Sequence, residues 1–418
     1  MEKSTHEGSL LSMSSFTSKN HDCGPVFKFG GTSMGSLERI EHVASLCAQK
    51  LPSAVVVSAM AGETNRLVGM ARHFTDHTDS PEYDLLVASG EQVSVALLSF
   101  ALRKRGLTPV PMLAAHAGIV TDGLHSRATI QSVNREAIMH HVEKGEIPII
   151  AGFQGVTQEG RFTSLGRGGS DTSAVAIAAG IGAKECVIYT DVDGVFTADP
   201  RVCPKARIIR RIRHEEMLEM ASQGSKVLHI RSVHLAAKWG IRLFVKNTFS
   251  TDEGTEMISD NEAIEGELVT GVAHSSDEAW FSVGPVPHTR TTLADVFGAL
   301  ATQGINVDIV NQEIRGDGLM VHFTVAGTDV AQARQVISSV TPRAEVRVNQ
   351  NVAKVSIVGV GMRVHAGVAA RMFRALATAG VEILLVTTSE IKVACLVDRS
   401  ALNTAVQALH SEFVESIS

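Results

Sequence analysis

From Pro25 onward the chain alternates short, nearly continuous apolar runs with longer stretches of helical spacing. VFKFGG (from Val26), SAVVVSAM (Ser53), TPVPML (Thr108), IPIIAGFQG (Ile147), ECVIYTDVDG (Glu185) and IRLFVKN (Ile241) read as strands, and the segments between them as helices. Strands without a polar alternation are buried on both faces. The pattern therefore predicts an α/β domain around a mostly parallel sheet with helices on either side.

The pattern changes near the polar, acidic stretch DNEAIEGE, Asp260 to Glu267, which reads as a boundary. Beyond it ADVFGALATQGINVDIV, from Ala294, and ARMFRALATAGVEILLV, from Ala370, match at roughly half of their positions. Each copy reads strand, helix, strand, strand, helix, strand, so the C-terminal third is expected to be two small α+β units. The segment before Pro25 has few spaced apolar residues and reads as a mobile leader. The expected division is residues 1–24 as leader, 25–264 as the α/β domain, and 265–345 and 346–418 as the two repeats.

Composition narrows the function classes. A net charge of -6 with 5% aromatic residues disfavours a nucleic-acid partner and an anionic membrane surface. No apolar run stands out as a membrane span and no signal-peptide pattern opens the chain, so the expected location is the cytoplasm. The five cysteines lie far apart without a CxxC pair and are expected as reduced, buried thiols. The scattered histidines suggest solvated helix faces, and no metal site is expected.

Four loops that follow or precede these elements carry the candidate chemistry. In SLGRGGSDT, Ser164 to Thr172, glycines allow close backbone approach and the following helix presents unpaired N–H groups, a place that suits an anion or a tight structural turn. Arg167 there can hold a carboxylate with two parallel bonds, whereas Asp171 repels one unless a cation stands between. KFGGTSMGS, Lys28 to Ser36, lacks the P-loop spacing, yet a lysine at a strand end before Gly30 and Gly31 can face a phosphate chain. TDVDGVFTADPR, Thr190 to Arg201, lacks calcium-loop spacing and fits a nucleotide better. SGEQVS, Ser89 to Ser94, opens a helix with Glu91 in its first turn, where a carboxylate complements the helix dipole even without a ligand. In an open α/β sheet such loops gather outside the carboxyl ends of the strands, where their cations, glycines and carboxylates resemble a phosphoryl-transfer site.

KFGGTSMGS, VVVSAMAGETNRL, SGEQVS, FTSLGRGGSDTSAVAIA and YTDVDGVFTADPR together closely resemble the aspartate kinase family of the amino acid kinase superfamily. VSIVGVGMR and TTSEIKVACLV resemble the tandem ACT domains of its monofunctional members. The resemblance implies an amino acid kinase-like αβα sandwich followed by two ferredoxin-like ACT domains. It also implies transfer of the ATP γ-phosphate, with Mg2+, to L-aspartate, giving 4-phospho-L-aspartate on the way to lysine, threonine and methionine. Carried over by residue, Lys28 stabilises the transferring group and Asp171 organises that lysine. Ser58, Thr64, Glu91, Arg167, Gly168, Gly169 and Ser170 form the aspartate pocket, with Arg167 on a carboxylate and Glu91 on the ammonium. Gly30, Gly31, Ser33, Thr190, Asp191, Phe196, Thr197, Asp199, Arg201 and Lys226 join Lys28 around the nucleotide. The ACT pair implies a lysine or threonine effector and a homodimer built through the C-terminal third.

Several positions depart from the family pattern. Phe196 stands where tyrosine is usual, and Ile230 and His234 replace a proline and a glutamate. VPHTRTT, Val286 to Thr292, lacks the usual proline–glycine pair, while Val364 and Glu382 replace a common serine and asparagine. These last changes fall where effectors bind in the family, so altered feedback inhibition is expected. The competing readings are a kinase for glutamate, N-acetylglutamate or another small acid, and a non-catalytic amino-acid sensor; retention of Lys28, Glu91 and Asp171 argues against the sensor.

Overall fold

The computed structural model describes residues 23–225, 227–259, 267–316 and 318–415. The leader expected at 1–24 and the candidate Lys226 therefore lie largely or wholly outside the described residues. The chain divides into two compact units, Met1–Gly194 with Leu228–Ser259, and Val195–Val227 with Asp260–Ser418. The contiguous cut expected at residue 264 thus differs from the observed grouping, because the Val195–Val227 excursion packs its apolar residues into the C-terminal core. Ala198 and Cys203 are buried in one cluster with Val269, Met372 and Phe413.

In chain order the first unit contains β1 (Val26–Phe29), α1 (Leu37–Lys50), β2 (Ala54–Val57), α2 (Glu63–Arg72), α3 (Pro81–Val87), α4 (Ser89–Arg103) and β3 (Pro109–Met112). There follow α5 (Ala114–Ala117), β4 (Ile119–Thr121), β5 (Ile130–Val133), α6 (Arg135–Val142), β6 (Ile147–Ala151), β7 (Gln154–Val156), β8 (Phe162–Ser164), α7 (Gly169–Ile181) and β9 (Glu185–Thr190). After an excursion holding β10 (Arg211–Arg213) and α8 (His214–Ser222), the chain returns as α9 (Ile230–Trp239), β11 (Arg242–Asn247) and β12 (Thr255–Ile258).

The main sheet of this unit runs β12-β11-β9-β1-β2-β6-β3, parallel except for β12. All four residues of β1 and of β2 are buried, Lys28 of β1 included, as the nearly continuous apolar runs predict. Phe27, Phe29, Val43, Leu98, Leu102, Ile149 and Tyr189 form the core on one face, with Phe29 stacked on Tyr189 at 4.9 Å. From β1 the chain moves to β2 on one side, and β9 later pairs with β1 on the other. Connections therefore diverge at β1, and a crevice for ligands opens at such a point beyond the carboxyl ends. A smaller sheet runs β5-β4-β7-β8, and its edge strand β8 leads directly into the glycine loop before α7. The stretch Pro81–Arg103 is long and apolar enough to cross a bilayer by length, yet 56% of its window is packed inside the unit. It consists of α3 and α4, core helices carrying the buried acids Asp84 and Glu91.

The second unit adds β13 (Gly271–Pro287), α10 (Thr292–Thr302), β14 (Val310–Arg315), β15 (Gly318–Val325), α11 (Val330–Val340), β16 (Glu345–Val358), α12 (Val368–Thr378), β17 (Leu385–Thr388), β18 (Lys392–Asp398) and α13 (Leu402–His410). Its sheet runs β14-β15-β13-β16-β18-β17, so each repeat supplies half and the two meet at β13 and β16. Both central strands are long because they are shared. Trp280 to Gly284 pairs with the first half of β16, while Gly271 to Ser275 pairs with its second half. The place of a last strand in the second repeat's half of the sheet is thus taken by the start of β13, and among the described residues α13 is followed by a short helical turn. A single cut between 345 and 346 would pass through the strand both repeats use. At the sheet centre Lys354, 3% exposed, is neutralised by Glu278 at 3.1 Å and by Asp308.

Candidate functional site

The central lysine sits at the divergence point. Lys28 is paired with Val56 of β2 and Ile188 of β9, one residue before the end of β1. Its ammonium meets Asp171 Oδ1 at 2.6 Å, as an ion pair without an aligned hydrogen bond; the side chains are only 10% and 13% exposed. Asp171 lies in the first turn of α7, whose N-terminus is placed by glycines. A Cβ at Gly152, just beyond β6, would meet Ser170 Cβ at 2.8 Å, and one at Gly169 would meet the Phe153 ring at 2.9 Å. Two further glycines have the left-handed backbone that only glycine adopts freely, Gly166 at φ +74° and Gly168 at φ +66°. Gly168 is doubly constrained, since a Cβ there would lie 2.2 Å from the His229 ring.

Beside Lys28, Gly30 donates its N–H to Tyr189 O at 3.1 Å, and a Cβ on it would lie 3.5 Å from the Lys28 ammonium; a Cβ on Gly31 would lie 3.0 Å from Ala59 O. Ser58 follows β2, bonded through its N–H to Phe29 O, and Thr64 is half-buried in the first turn of α2. Glu91, in the first turn of α4, is 3% exposed and accepts the Ala59 N–H at 3.1 Å through Oε1. Its Oε2 is buried and, among the described residues, has no hydrogen-bond partner. Burial pushes this carboxyl up to about 8, against the opposing pull of the Ala59 N–H. Arg167 is exposed at the loop tip, and among the described residues its guanidinium makes no hydrogen bond or ion pair. One unit thus carries a free fork of donors at an exposed loop tip and an unsatisfied carboxylate oxygen buried at a helix start.

The expected nucleotide residues divide between the two units. In the first, the loop after β9 is fastened by β11 and the residue after it: Thr248 donates to Thr190 O at 3.1 Å, and Asn247 Nδ2 to Asp193 Oδ1 at 2.8 Å. Asp191 is exposed beside Thr190, whose hydroxyl donates to it at 3.2 Å. Ser33 is fully buried and its hydroxyl is shared with Thr248 at 2.6 Å, which ties the β1 loop to the residue after β11. In the second unit, Arg201 is held by Asp199 at 2.7 Å with its guanidinium outward. Phe196 bridges Ile208. The Thr197 hydroxyl pairs with His410 at 2.9 Å and accepts the Arg207 N–H at 3.0 Å.

Sequence reasoning missed Phe153, which sits at φ +67° and accepts the Leu165 N–H through its carbonyl. It also missed His229, which caps α9 and walls Gly168, and the buried Asp84. Phe153 lay in GFQG, where a residue between two glycines could have signalled an unusual turn. Ile230, which departs from an expected proline, is the first residue of α9, a position that tolerates either. At the missing proline–glycine pair, Thr292 Oγ1 donates to Pro287 O and pairs with Thr289 Oγ1 at 2.8 Å, a hydroxyl cluster that shapes the entry to α10.

The amino acid kinase family profile matches residues 25–247, and an ACT domain profile matches 355–413. An aspartate kinase of Pseudomonas putida is 44% identical over 397 residues, covering 93% of this chain and 97% of that protein. The chain belongs to the aspartate kinase family. An aspartokinase of Helicobacter pylori (strain J99) is 42% identical over 398 residues, with 93% and 98% covered. Among solved structures, E. coli aspartokinase III in complex with aspartate and ADP superimposes with a TM-score of 0.78 at 26% identity, covering 93% and 99% of the two chains. This aspartate kinase family member thus carries both the kinase fold and the ACT fold expected from its motifs, and it is a kinase.

Proposed function

We propose that this chain transfers the γ-phosphoryl group of ATP to the side-chain carboxylate of L-aspartate, with the residues above in the roles the family resemblance implies. The observation that carries this reading is the Lys28–Asp171 pair at the point where the sheet connections diverge. Close relatives carry the name aspartate kinase, and a structural neighbour was solved with aspartate and ADP.

The acceptor carboxylate is ionised at neutral pH, so no base is needed. One of its oxygens forms a bond to the γ-phosphorus, the bond from that phosphorus to the bridging oxygen breaks, and ADP leaves with the electron pair. The obstacle is repulsion between anions. Lys28, oriented by Asp171, faces the transferring group, and the α7 N-terminus and Arg167 neutralise the acceptor. Glu91 receives the substrate ammonium. Magnesium bound with the nucleotide supplies additional positive charge at the phosphates; Asp171, a hard oxygen donor 13% open to solvent, suits such an ion. We place the reaction in the cytoplasm and the effector, lysine or threonine, at the ACT pair. A homodimer would form through the same region, whose outer strand β14 is exposed along its whole length.

Trapping the acyl phosphate with hydroxylamine tests the reading. Aspartate should support turnover well above glutamate and N-acetylglutamate, and Arg167→Ala should raise KM for aspartate by about 10- to 100-fold. Equal turnover with glutamate would refute the substrate assignment. In the same assay, half-inhibition by lysine or threonine should need concentrations above the micromolar range. Val364 is 81% exposed and Glu382 is exposed where the family carries serine and asparagine, which removes polar contacts to a small amino acid.

A further inference from the structure

Arg167 stands on a loop whose course is set by two charged side chains outside the loop. Asp84 of α3 is fully buried and lies beside His125. Its carboxylate accepts from Ser164 Oγ at 2.5 Å, from His125 Nδ1 at 2.7 Å, and from the Ser126 N–H at 3.2 Å to each oxygen. Ser164 ends β8, three residues before Arg167. On the opposite side Arg231 of α9 divides its guanidinium between Leu165 O at 2.5 Å and Ala128 O at 2.9 Å. The Ala128 N–H in turn donates to Ser164 O at 2.9 Å. Segments 125–128 and 164–166 are thereby clamped together as a two-layered plate.

The plate is held in a conformation the chain would not adopt unaided. Ser126 has φ +63°, an unfavourable region for a residue with a Cβ, and its carbonyl lies against Gly166, itself at φ +74°. Such outliers persist where the surroundings over-determine them. Here the Asp84 carboxylate holds the strained N–H of Ser126 and the hydroxyl of Ser164 together. A buried carboxylate is costly unless every lone pair is used, and this one spends its bonding capacity on the two segments that meet under Arg167.

We propose that Asp84 and Arg231 are positioning residues for substrate binding, fixing the place of the Arg167 guanidinium. This rests on the assignment of Arg167 to the acceptor carboxylate. Neither residue reaches the loop tip itself; both act on its root. Displacing a binding group by about 1 Å costs on the order of a hundredfold in such sites.

The test is a double-mutant cycle on the full-length protein, with steady-state kinetics in aspartate and ATP and thermal melting alongside. Arg231→Gln and Asp84→Asn should each raise KM for aspartate by about tenfold or more, with KM for ATP changing by less than about threefold. Arg231→Lys, which cannot divide itself between two carbonyls in one plane, should fall between Arg231→Gln and wild type. In an Arg167→Ala background the same substitutions should add less than about threefold, because the group they position is gone. Ser164→Ala deletes a single bond and keeps the test available if Asp84→Asn does not fold. Effects that multiply fully with Arg167→Ala, or that raise both KM values alike, would overturn the inference while leaving Arg167 in place. An unchanged KM for aspartate in Arg167→Ala itself would overturn the assignment of Arg167 and the inference with it.

Discussion

Replacing Lys28 by alanine lowers kcat for acyl-phosphate formation by about a hundredfold or more. The ammonium lies at the end of the central strand, next to Gly30 and against Asp171, where solvent contributes little screening. A charge fixed there meets the transferring phosphoryl group without reorganisation, which is the condition under which an electrostatic contact favours the transition state most. The substitution also leaves Asp171 buried without its partner, and breaking a buried pair destabilises by about 3–5 kcal/mol. The melting temperature should therefore fall in Lys28→Ala. The double variant Lys28→Met with Asp171→Asn should recover it, since no charge remains unpaired, yet kcat should stay low. Recovery of both together would mean the loss was one of folding, and a single variant within a few-fold of wild type would remove Lys28 from the chemistry.

How far these features were legible depends on the range over which each is encoded. The parallel sheet was readable because β1, β2, β6 and β9 are nearly continuous apolar runs without a polar alternation, the mark of a strand buried on both faces. Lys28, Gly168 and Glu91 were readable because each sits at a strand or helix end, where local sequence marks the boundary. The partners of Ser33 and Thr197 were not legible, because Thr248 and His410 are more than two hundred residues away. A hydroxyl in a glycine-rich loop looks the same whether it faces a phosphate or a buried threonine. Asp84 was invisible for the same reason: in PEYDLLV it reads as an ordinary acid in a helix N-terminal turn, and only the fold brings Ser164 and His125 to it. The sharing of β13 and β16 was hidden by the repeat itself. Two similar sequences suggest two closed units, while the exchange of end strands depends on how the copies meet.

Glu91 gives aspartate binding a pH dependence of defined sign. With its carboxyl pushed up to about 8 by burial, the free enzyme holds Glu91 mostly neutral at pH 7. The substrate ammonium needs the charged form, so binding expels a proton, and KM for aspartate should fall as pH rises from about 6.5 toward 8.5. Glu91→Gln keeps the shape and the Ala59 contact but lacks the charge. It should raise KM by about 10- to 100-fold at pH 8.5, the range expected for losing one charge-assisted hydrogen bond, and by less at pH 6.5. The same proton links binding to stability. The folded-state pKa exceeds the unfolded value of about 4.3, so this group's contribution to stability is complete below that pH and is lost as pH rises through 8. Above that, a buried Glu91 carboxylate has no cation until aspartate brings one. Saturating aspartate should accordingly raise the melting temperature more at pH 8.5 than at pH 6.5, and Glu91→Gln should erase the difference. A wild-type KM that stays flat across this range, with the glutamine variant following the same line, would show that Oε2 does not receive the ammonium.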